Sequence, residues 1–592
     1  MAIVIGKRFL LTPLAAGLAA LLASAPTDAT VVQPSHTRAF AQVAKASSGS
    51  FVRASRLSQE HIQAFRGKRP LKHPRAGHAL AAHAPSGAKV AVTACDEAAL
   101  RSAIAGVGDG DTVDLTDLRN CTITLTDGAL HVAVDNLTLS GPSDNSLVLD
   151  GGNIDSVLYH SGYGELTIDH LSIQHGYYSG YGYFALGGCI YSVADVALTN
   201  STVSGCTVGS DMPYVSSGAG VAAMGNLTLS KSIISQNYAY GYARAFGGGA
   251  YSSYGVIKSD DSTISDNVAY GYYYGGYGGG LAGFSDIQVT NSTISGNASS
   301  AQGGGVYSGG GYLTVDNSRI ISNTTGLAGG GVLSQVQSVI TRSTISGNEA
   351  AFGAGVSNAG SARIADTTIS GNTAYYSGGG IYSFGDLAVS NSTISGNATM
   401  NGTPYEGYYG TGLRGGAGIF STRANLTVEN STVAFNDATT DYGGGGIFLS
   451  DYGIGDPTAY NSHIVSTIVS NNSATSGAGD VGADVAGFVI DGDHNLFVDA
   501  DAANVTVPDG TLTDDPNLQA LADNGGPTWT HALGDGSAAI DVGDNPDGLD
   551  FDQRGAGFDR VVGDAADIGA FEYGATNDAI FKDGFDAAPP PP

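Results

Sequence analysis

Short stretches of alternating apolar and polar residues recur along most of this chain. Leu313-Thr-Val315 and Leu387-Ala-Val389 are two examples, and turn-forming residues follow each of them. Alternation with a period of two indicates a β-strand with one buried face. Gly, Asn and Ser between the stretches are typical of tight turns. The pattern therefore predicts many short strands, with almost no helix.

A repeated motif orders these strands. The best copies of Ser-Thr-Ile-Ser-(Gly/Asp)-Asn are 262–267, 292–297, 343–348 and 392–397. The central isoleucines from Ile264 to Ile394 are spaced 30, 26, 25, 24 and 25 residues apart. Glycine blocks lie between the motifs, at 278–280, 303–305, 329–331 and 378–380.

A β-only repeat of this length matches one coil of a β-helix. Leucine-rich repeats need a Leu/Asn pattern that is missing, and propeller blades need about 40 residues. We therefore predict an all-β, right-handed parallel β-helix (a solenoid) of about 13 coils over residues 93–490. Strand spacing makes this a rod of roughly 60 Å.

Alignment on the central isoleucine produces columns of equivalent residues. Three positions later stands an asparagine, predicted to hydrogen-bond from coil to coil and to adopt the left-handed turn conformation. The members of this column are Asn237, Asn267, Asn297, Asn323, Asn348, Asn372, Asn397, Asn436 and Asn471.

Four cysteines in an exported chain are expected to form disulfides, and three pairings are possible. Cys206 stands in the asparagine column, and Cys189 stands where the last glycine of a block would be. These positions bracket one coil, which predicts a Cys189–Cys206 disulfide. Proximity alone favours Cys95–Cys121 for the other two.

The N-terminal region has the features of an export signal. Lys7 and Arg8 precede an apolar run too short to span a membrane, and cleavage is expected after Ala29. Residues 30–92 are basic and aperiodic, as in a disordered spacer or propeptide. A short helix with Asp96 as its N-cap is then predicted to cover the open end of the strand stack. No later segment is long and apolar enough to span a membrane.

Charge divides the chain into a basic beginning and an acidic body. Residues 1–92 carry a net charge of +10, whereas residues 93–592, with 13 Lys/Arg and 52 Asp/Glu, carry −39. A body this acidic repels nucleic acid and anionic lipid.

A mixed polar column three positions before the isoleucine is the first candidate for chemistry. There Lys231 stands one coil from Asp261, and Arg342 one coil from Asp366. Polysaccharide lyases on this fold use a basic residue with Ca²⁺-binding acids, so these four residues are the catalytic candidates. The alternative is two isolated surface ion pairs, which contribute only about 0–1 kcal/mol and need no catalytic purpose.

Tyrosines between the asparagine column and the next glycine block are the most distinctive candidates for binding. They are expected on one side of the rod, where aromatic faces stack on sugar rings or on a protein partner. The alternative is that they stack on each other and cover the loops. The ligand-binding candidates are Tyr240, Tyr242, Tyr270, Tyr272, Tyr273, Tyr274, Tyr277, Tyr405, Tyr408 and Tyr409.

Aspartates in a Gly/Pro loop near the C-terminus offer oxygen ligands for Ca²⁺. Asp544, Asp547, Asp550 and Asp552 form this set. No EF-hand or nonapeptide pattern accompanies them, so solvated turn acids are the alternative. No other metal or cofactor is expected.

Parts of the chain resemble known bacterial surface proteins. The Ile-x-x-Asn and Gly-Gly-Gly-(Ile/Val) segments over 170–480 resemble the repeats of polymorphic outer membrane proteins, with Ile or Val in place of Phe. Residues 93–114 resemble the start of CSLREA-type β-helix proteins. Residues 515–533, 538–541, 552–554 and 567–572 resemble the choice-of-anchor Q module. These resemblances imply a surface or secreted protein of the pectin-lyase-like superfamily, with an acidic anchor-type module at 491–574 and a tail at 575–592.

Two functions are open on this basis. The first is an exported scaffold at the surface of a Gram-negative bacterium, which binds an extracellular polysaccharide or a surface protein through its tyrosine loops. The second is a secreted polysaccharide lyase or glycoside hydrolase.

Overall fold

The computed structural model describes residues 87–179, 184–209, 215–400, 415–439, 443–451, 456–475 and 477–576. They form a parallel β-solenoid of about 12 turns, an architecture that fits the predicted right-handed β-helix. Successive coils pair in parallel and in register, so that Ile264, Ile294 and Ile320 are direct neighbours. The prediction of the fold from the repeat is confirmed.

Each coil contributes one strand to each of several long sheets. Sheet 1 has 16 strands in the described residues. They are Lys89–Ala91, Asp111–Asp114, Leu137–Ser140, Glu165–Asp169, Asp195–Thr199, Leu227–Ser230, Ile257–Asp260, Ile287–Thr290, Tyr312–Asp316, Gln337–Thr341, Ser361–Ala365, Leu387–Ser390, Leu426–Glu429, Ser462–Val465, Phe488–Asp491 and Val505–Thr506.

Sheet 2 comes after sheet 1 along each coil from Asp111–Asp114 to Phe488–Asp491 and has 14 strands in the same residues. They are Cys121–Thr124, Leu147–Asp150, Ser172–Gln174, Thr202–Ser204, Ile233–Ser235, Thr263–Ser265, Thr293–Ser295, Arg319–Ile321, Thr344–Ser346, Thr368–Ser370, Thr393–Ser395, Thr432–Ala434, Ile468–Ser470 and Leu496–Phe497.

Sheet 3 comes next, with 11 described strands, and four coils add a strand to a short sheet beside it. Sheet 3 comprises Tyr177–Tyr178, Thr207–Gly209, Tyr238–Gly241, Val268–Gly271, Ala298–Ser299, Thr324–Thr325, Glu349–Phe352, Thr373–Ser377, Ala398–Thr399, Asp437–Ala438 and Ser473–Ala474. The short sheet comprises Phe184–Leu186, Val215–Ser217, Arg244–Phe246 and Gly276–Tyr277.

Sheet 4 closes each coil and has 13 described strands. They are Leu130–Val132, Leu158–His160, Ile190–Ser192, Val221–Ala223, Ala250–Ser252, Leu281–Gly283, Val306–Ser308, Val332–Ser334, Val356–Asn358, Ile381–Ser383, Ile419–Thr422, Ile447–Ser450 and Val481–Ala483. The described residues also form one α-helix, α1 (Glu97–Gly106), and one 3-10 helix, Pro457–Ala459.

The asparagine column forms a buried ladder inside the turn between sheets 2 and 3. In each rung the Oδ1 atom accepts from the backbone N–H and the Nδ2 atom of the preceding asparagine; for Asn323 accepting from Asn297 both distances are 3.0 Å. The ladder ends at Asp480, whose carboxylate accepts from the backbone and side chain of Asn472. The column thus supplies hydrogen-bond partners for the backbone and side-chain amides of a buried turn.

The structure corrects two details of this prediction. The last rung is Asn472, not Asn471, because Val469 and not Ile468 continues the central apolar column. The left-handed conformation belongs to the residue before the ladder asparagine, such as Gly296 or Ser322. That residue makes the turn, whereas the asparagine cross-links it.

Both predicted disulfides are confirmed. Cys189 and Cys206 are bonded across one coil, with a Cα–Cα distance of 5.5 Å, and Cys95 is bonded to Cys121. The amide of Cys206 donates to Oδ1 of Asn237, so the Cys189–Cys206 disulfide lies where the asparagine ladder begins.

Helix α1 covers the N-terminal end of the stack, as predicted. Asp96 caps it by accepting from the amide of Ala99, and Leu100 and Ile104 enter the apolar core. Glu97 fixes the helix to the first coil by accepting from the amide and hydroxyl of Thr126. Although burial opposes ionisation of Glu97, these hydrogen bonds lower its pKa to about 2.

A second apolar cluster lies outside the main core, on the outer face of sheet 4. Its ladder of outward side chains includes Tyr307, Tyr382, Phe420 and Phe448, of which Tyr382 and Phe420 stack at 5.0 Å. Side chains from sheet 3 and the short sheet, such as Phe352, cover this ladder. The sequence analysis missed this cluster, although an aromatic residue two positions after many glycine blocks was its signal.

The sheets of the rod continue beyond residue 490, because the strands Leu496–Phe497 and Val505–Thr506 still belong to them. Of the predicted C-terminal module (491–574), the part that folds back onto the outer face of sheet 2 is residues 515–576, and we call this part the C-terminal module. The hydroxyl of Thr393 donates to Oε1 of Gln553 at 2.6 Å, and Ser395 hydrogen-bonds His531 at 2.7 Å. No helix in the described residues has the length and apolarity that a membrane span requires.

The module also follows a row of left-handed turn residues between sheets 1 and 2. Asn391 donates to the carbonyl of Phe551, Asn430 donates to the carbonyl of Asp544, and Ser466 accepts from the amide of Asp544. We call this line of contacts the seam. It ties the last coils of the rod to the module.

Candidate functional site

Long arches between sheets 2 and 4 place the tyrosines. Sheet 3 runs outward and the short sheet returns, and the space between them is filled by Ala239, Ala245 and Ala269. The arch reverses tightly at Gly241, where a Cβ atom would lie 1.8 Å from the carbonyl oxygen of Arg244. Side chains that follow this reversal are therefore held at the outer edge of the rod.

An exposed aromatic cluster occupies this edge, and we call it the arch-edge patch. Tyr242 contacts Tyr273 edge to face at 4.8 Å, and Tyr273 contacts Tyr272 in the same way. The guanidinium of Arg244 lies 5.4 Å from the ring centre of Tyr274. Tyr242, Tyr273 and Tyr274 are 37%, 46% and 64% exposed, so aromatic edges and faces reach solvent.

The other predicted tyrosines are placed differently. Tyr240 stacks on Tyr270 at 5.8 Å, and Tyr270 is only 5% exposed. Tyr277 packs between Phe246 and Tyr307 in the outer aromatic cluster. Stacking between coils buries Tyr270 and half-buries Tyr277, so these two rings offer less surface to a ligand than the rings of the arch-edge patch. Tyr405, Tyr408 and Tyr409 lie outside the described residues.

The two predicted catalytic pairs do not form as ion pairs. Arg342 bonds Asp316 of the previous coil at 2.5 Å instead of Asp366. Lys231 and Asp261 are both exposed, and among the described residues no ion pair joins them. The guanidinium of Arg342 pairs with Asp316, and the carboxylate of Asp366 accepts instead from Nδ2 of Asn391 in the following coil.

A different row of side chains lies on the outer face of sheet 1, and we call it the notch because two small side chains separate two basic ones. Arg363, Ala388, Thr427 and His463 are consecutive neighbours in register. The two small side chains lie between the two basic ones, over about 14 Å at the strand spacing. Nδ1 of His463 bonds Asp491 of the next coil at 2.9 Å.

Acidic groups from the rod and the module meet beside this notch. Glu429 lies within interaction distance of Asp547, Arg363 and His463. Burial, and then the Asp547 carboxyl, raise the pKa of Glu429 above its ordinary value. Burial likewise raises the pKa of Asp366, which accepts from Nδ2 of Asn391 at 2.7 Å. The sequence analysis missed Arg363, Glu429 and His463 because they lie on strands and not in the turn column.

The four aspartates of the predicted Ca²⁺ loop do not lie together. Asp552 is buried and pairs with Arg554 at 2.5 Å, while Phe558 and Phe571 cover the guanidinium. Asp547 faces Glu429, and Asp550 points to solvent. The structure therefore corrects the idea of one shared site, because the loop spreads these acids over the module. Asp544 alone joins another cluster, with Asp493 and His494.

No protein-family model and no curated protein matches the chain. Among solved structures it is similar to a PL6 alginate lyase in complex with a trisaccharide, at 12% identity and a TM-score of 0.30, over 76% of this chain and 91% of that one. It is also similar to the pectate lyase Pel9A, at 12% identity and a TM-score of 0.24, over 80% of this chain and 90% of that one.

Proposed function

We propose that the protein is an extracellular scaffold that binds glycan through the arch-edge patch. The observation that carries this proposal is the group of exposed rings at Tyr242, Tyr273 and Tyr274, held by a rigid arch beside Arg244. Aromatic rings with a polar edge combine apolar contact area with hydrogen bonding, which suits sugar rings. Because stacked coils fix the rings, little conformational entropy is lost on binding.

Electrostatics favour a neutral glycan over an acidic one. The net charge of −39 over residues 93–592 repels a polyanion at long range. A neutral sugar chain is not affected by this field. The tyrosine hydroxyls and Arg244 then supply hydrogen bonds to sugar hydroxyls.

Export to the cell surface belongs to the same proposal. Two disulfides fit an oxidising compartment outside the cytoplasm. The apolar segment after Lys7 and Arg8 would direct export, and the resemblance of the C-terminal module to an anchor-type module would account for surface display. Mass spectrometry of the secreted chain tests whether it begins at Thr30.

A glycan array tests the binding proposal. We expect the purified chain to bind neutral glycans, and replacement of Tyr242, Tyr273 and Tyr274 by Ala to weaken binding about tenfold or more. The matched control replaces Tyr254 and Tyr312 by Ala, because they are equally exposed elsewhere, at 62% and 57%. Unchanged binding by the triple variant would overturn the patch as the binding site.

A second candidate function, polysaccharide cleavage, is favoured by the notch. Two neighbouring carboxyl groups, one with a raised pKa, can supply a proton donor for general acid catalysis. Glu429 and Asp547 have this relationship, with Arg363 and His463 nearby to bind substrate.

Cleavage is tested by incubating the chain with neutral and uronate polysaccharides, with and without Ca²⁺. Release of reducing ends or unsaturated products that is abolished in Glu429→Gln, but kept in Glu165→Gln, would establish the notch as an active site. Glu165 is an exposed glutamate on the same sheet, far from the notch. If none of the polysaccharides yields a product, cleavage is excluded as a function of the notch, and the glycan-binding proposal is unaffected.

A further inference from the structure

Three potential metal ligands converge where the rod meets the C-terminal module. Asp493 and His494 follow the sheet 1 strand Phe488–Asp491, and Asp544 comes from the module. One ligand atom from each residue lies within 4.8 Å of the other two, and all three residues are exposed. In the described residues no other group of three or more such side chains reaches this distance.

The cluster continues the seam. His494 has a φ of 49° and follows Asn391, Asn430 and Ser466 in the left-handed turn row. The backbone of Asp544 is fixed from both sides, because its carbonyl accepts from Asn430 at 2.7 Å and its amide donates to Ser466 at 3.0 Å. The three ligand groups are therefore brought together by the docking of the module and not by one flexible loop.

Acidic side chains of the rod and the module face each other near the seam, and a bound cation would reduce their repulsion. Asp493 of the rod faces Asp544 of the module, and Glu429 of the rod faces Asp547 of the module. Two pairs of acidic side chains thus oppose each other across one interface of a strongly acidic chain, and only Glu429 and Asp547 have Arg363 and His463 nearby to offset their repulsion. Like charges in such proximity repel, and a bound divalent cation would turn that repulsion into attraction.

The donor set selects a class of metal. Two carboxylate oxygens and one imidazole nitrogen suit a first-row transition ion, whereas Ca²⁺ takes six to eight oxygens. Ligand atoms at about 2.0–2.2 Å from one tetrahedral Zn²⁺ lie about 3.3–3.6 Å apart. Nδ1 of His494 already lies 3.2 Å from Oδ1 of Asp493. Rotation of the exposed side chains would bring the ligand atom of Asp544 about 1 Å closer to these two.

We propose that Asp493, His494 and Asp544 form a site for a divalent transition-metal ion, such as Zn²⁺, that clamps the C-terminal module to the last coil of the rod. Water completes the coordination shell of the exposed ion. The role is structural: the ion joins two parts of the chain, independently of the glycan-binding and cleavage candidates.

Isothermal titration calorimetry of the metal-stripped full chain with ZnCl₂ tests the site. We expect one Zn²⁺ per chain, an affinity lowered about tenfold or more in His494→Ala and in Asp544→Asn, and weaker binding of CaCl₂. The matched control is His131→Ala, which removes an exposed histidine that hydrogen-bonds Ser161 at 2.9 Å, outside the three-ligand group.

Thermal unfolding supplies a second measurement. Zn²⁺ should raise the unfolding temperature of the native chain and of His131→Ala, and should leave that of His494→Ala unchanged. Far-UV circular dichroism checks that each variant is folded. Stoichiometric Zn²⁺ binding that persists unchanged in both ligand variants, or no binding by the native chain, would overturn the proposal.

Discussion

The side chain of Glu429, on the outer face of sheet 1, meets that of Asp547 in the C-terminal module. Two carboxyl groups therefore face each other where a long acidic loop docks on a rod that is itself acidic. Arg363 and His463 offset part of this repulsion. This contact makes the attachment of the module sensitive to pH.

We expect the module to detach more easily as pH rises. Burial and Asp547 raise the pKa of Glu429, so the folded chain holds this proton more tightly than the unfolded chain does. The stabilisation is complete below the ordinary pKa of a glutamate, and it is lost as pH increases through the raised value. Asp547→Asn should flatten this dependence and stabilise the module at pH 8 by about 1 kcal/mol or less.

Urea unfolding followed by the fluorescence of Trp529, which lies in the module, measures this effect between pH 4 and 8. Asp550→Asn is the control, because Asp550 is an exposed aspartate of the same loop. An identical pH dependence in both variants would contradict the prediction.

Loss of one ladder asparagine should destabilise the whole rod. Asn323→Ala leaves the amide and Nδ2 of Asn297 and the carbonyl of Ile294 without their partner. These groups are buried, so we expect a cost of about 3 kcal/mol. Asn317→Gly, in an exposed left-handed turn of the same coil, should cost far less. Urea denaturation monitored by circular dichroism compares them, and equal midpoints would refute the ladder's contribution.

Two glycines with the same backbone conformation should differ in their tolerance of a methyl group. Gly303 and Gly371 have φ of 64° and 63°, but a Cβ atom would lie 2.5 Å from the carbonyl oxygen of Val306 at Gly303 and would meet nothing within 4 Å at Gly371. Gly371→Ala should cost about 1 kcal/mol for the strained φ alone. Gly303→Ala should cost about 2 kcal/mol more through overlap. Differential scanning calorimetry of the two variants checks this order, and equal losses of stability would show that the backbone conformation alone matters.

The buried ion pair in the module should be essential to its structure. Asp552→Ala would leave the guanidinium of Arg554, whose side chain is 4% exposed, without its counter-ion. Removal of one partner of a buried pair costs about 3–5 kcal/mol. Limited proteolysis should then cut the module while the rod stays intact. Asp559→Ala, an exposed aspartate, should behave like the native chain; equal resistance of both variants would argue against the pair.

The repeat was sufficient to predict the fold and the register of most coils. A parallel solenoid places residues at equivalent positions of successive coils one above another, so columns in the alignment become columns in space. Cys189 and Cys206 could be paired from that register before any coordinates. Alignment on the central apolar residue was wrong by one position at Asn472. The motif is degenerate there, and either Ile468 or Val469 could be the central residue.

The sequence by itself determined what depends on the period of the coil: the strand stack, the buried asparagines, the Cys189–Cys206 disulfide and the location of tyrosines at one edge. Only the tertiary structure decided which outward side chains stay exposed. Tyr270 and Tyr277 are covered by neighbouring coils, and the return of the C-terminal module brings Asp547 to Glu429 and Asp544 to Asp493 and His494. Such contacts join residues distant in sequence, and no local pattern records where a non-repetitive segment docks. The candidate sites at the seam therefore could be found only once the module was placed.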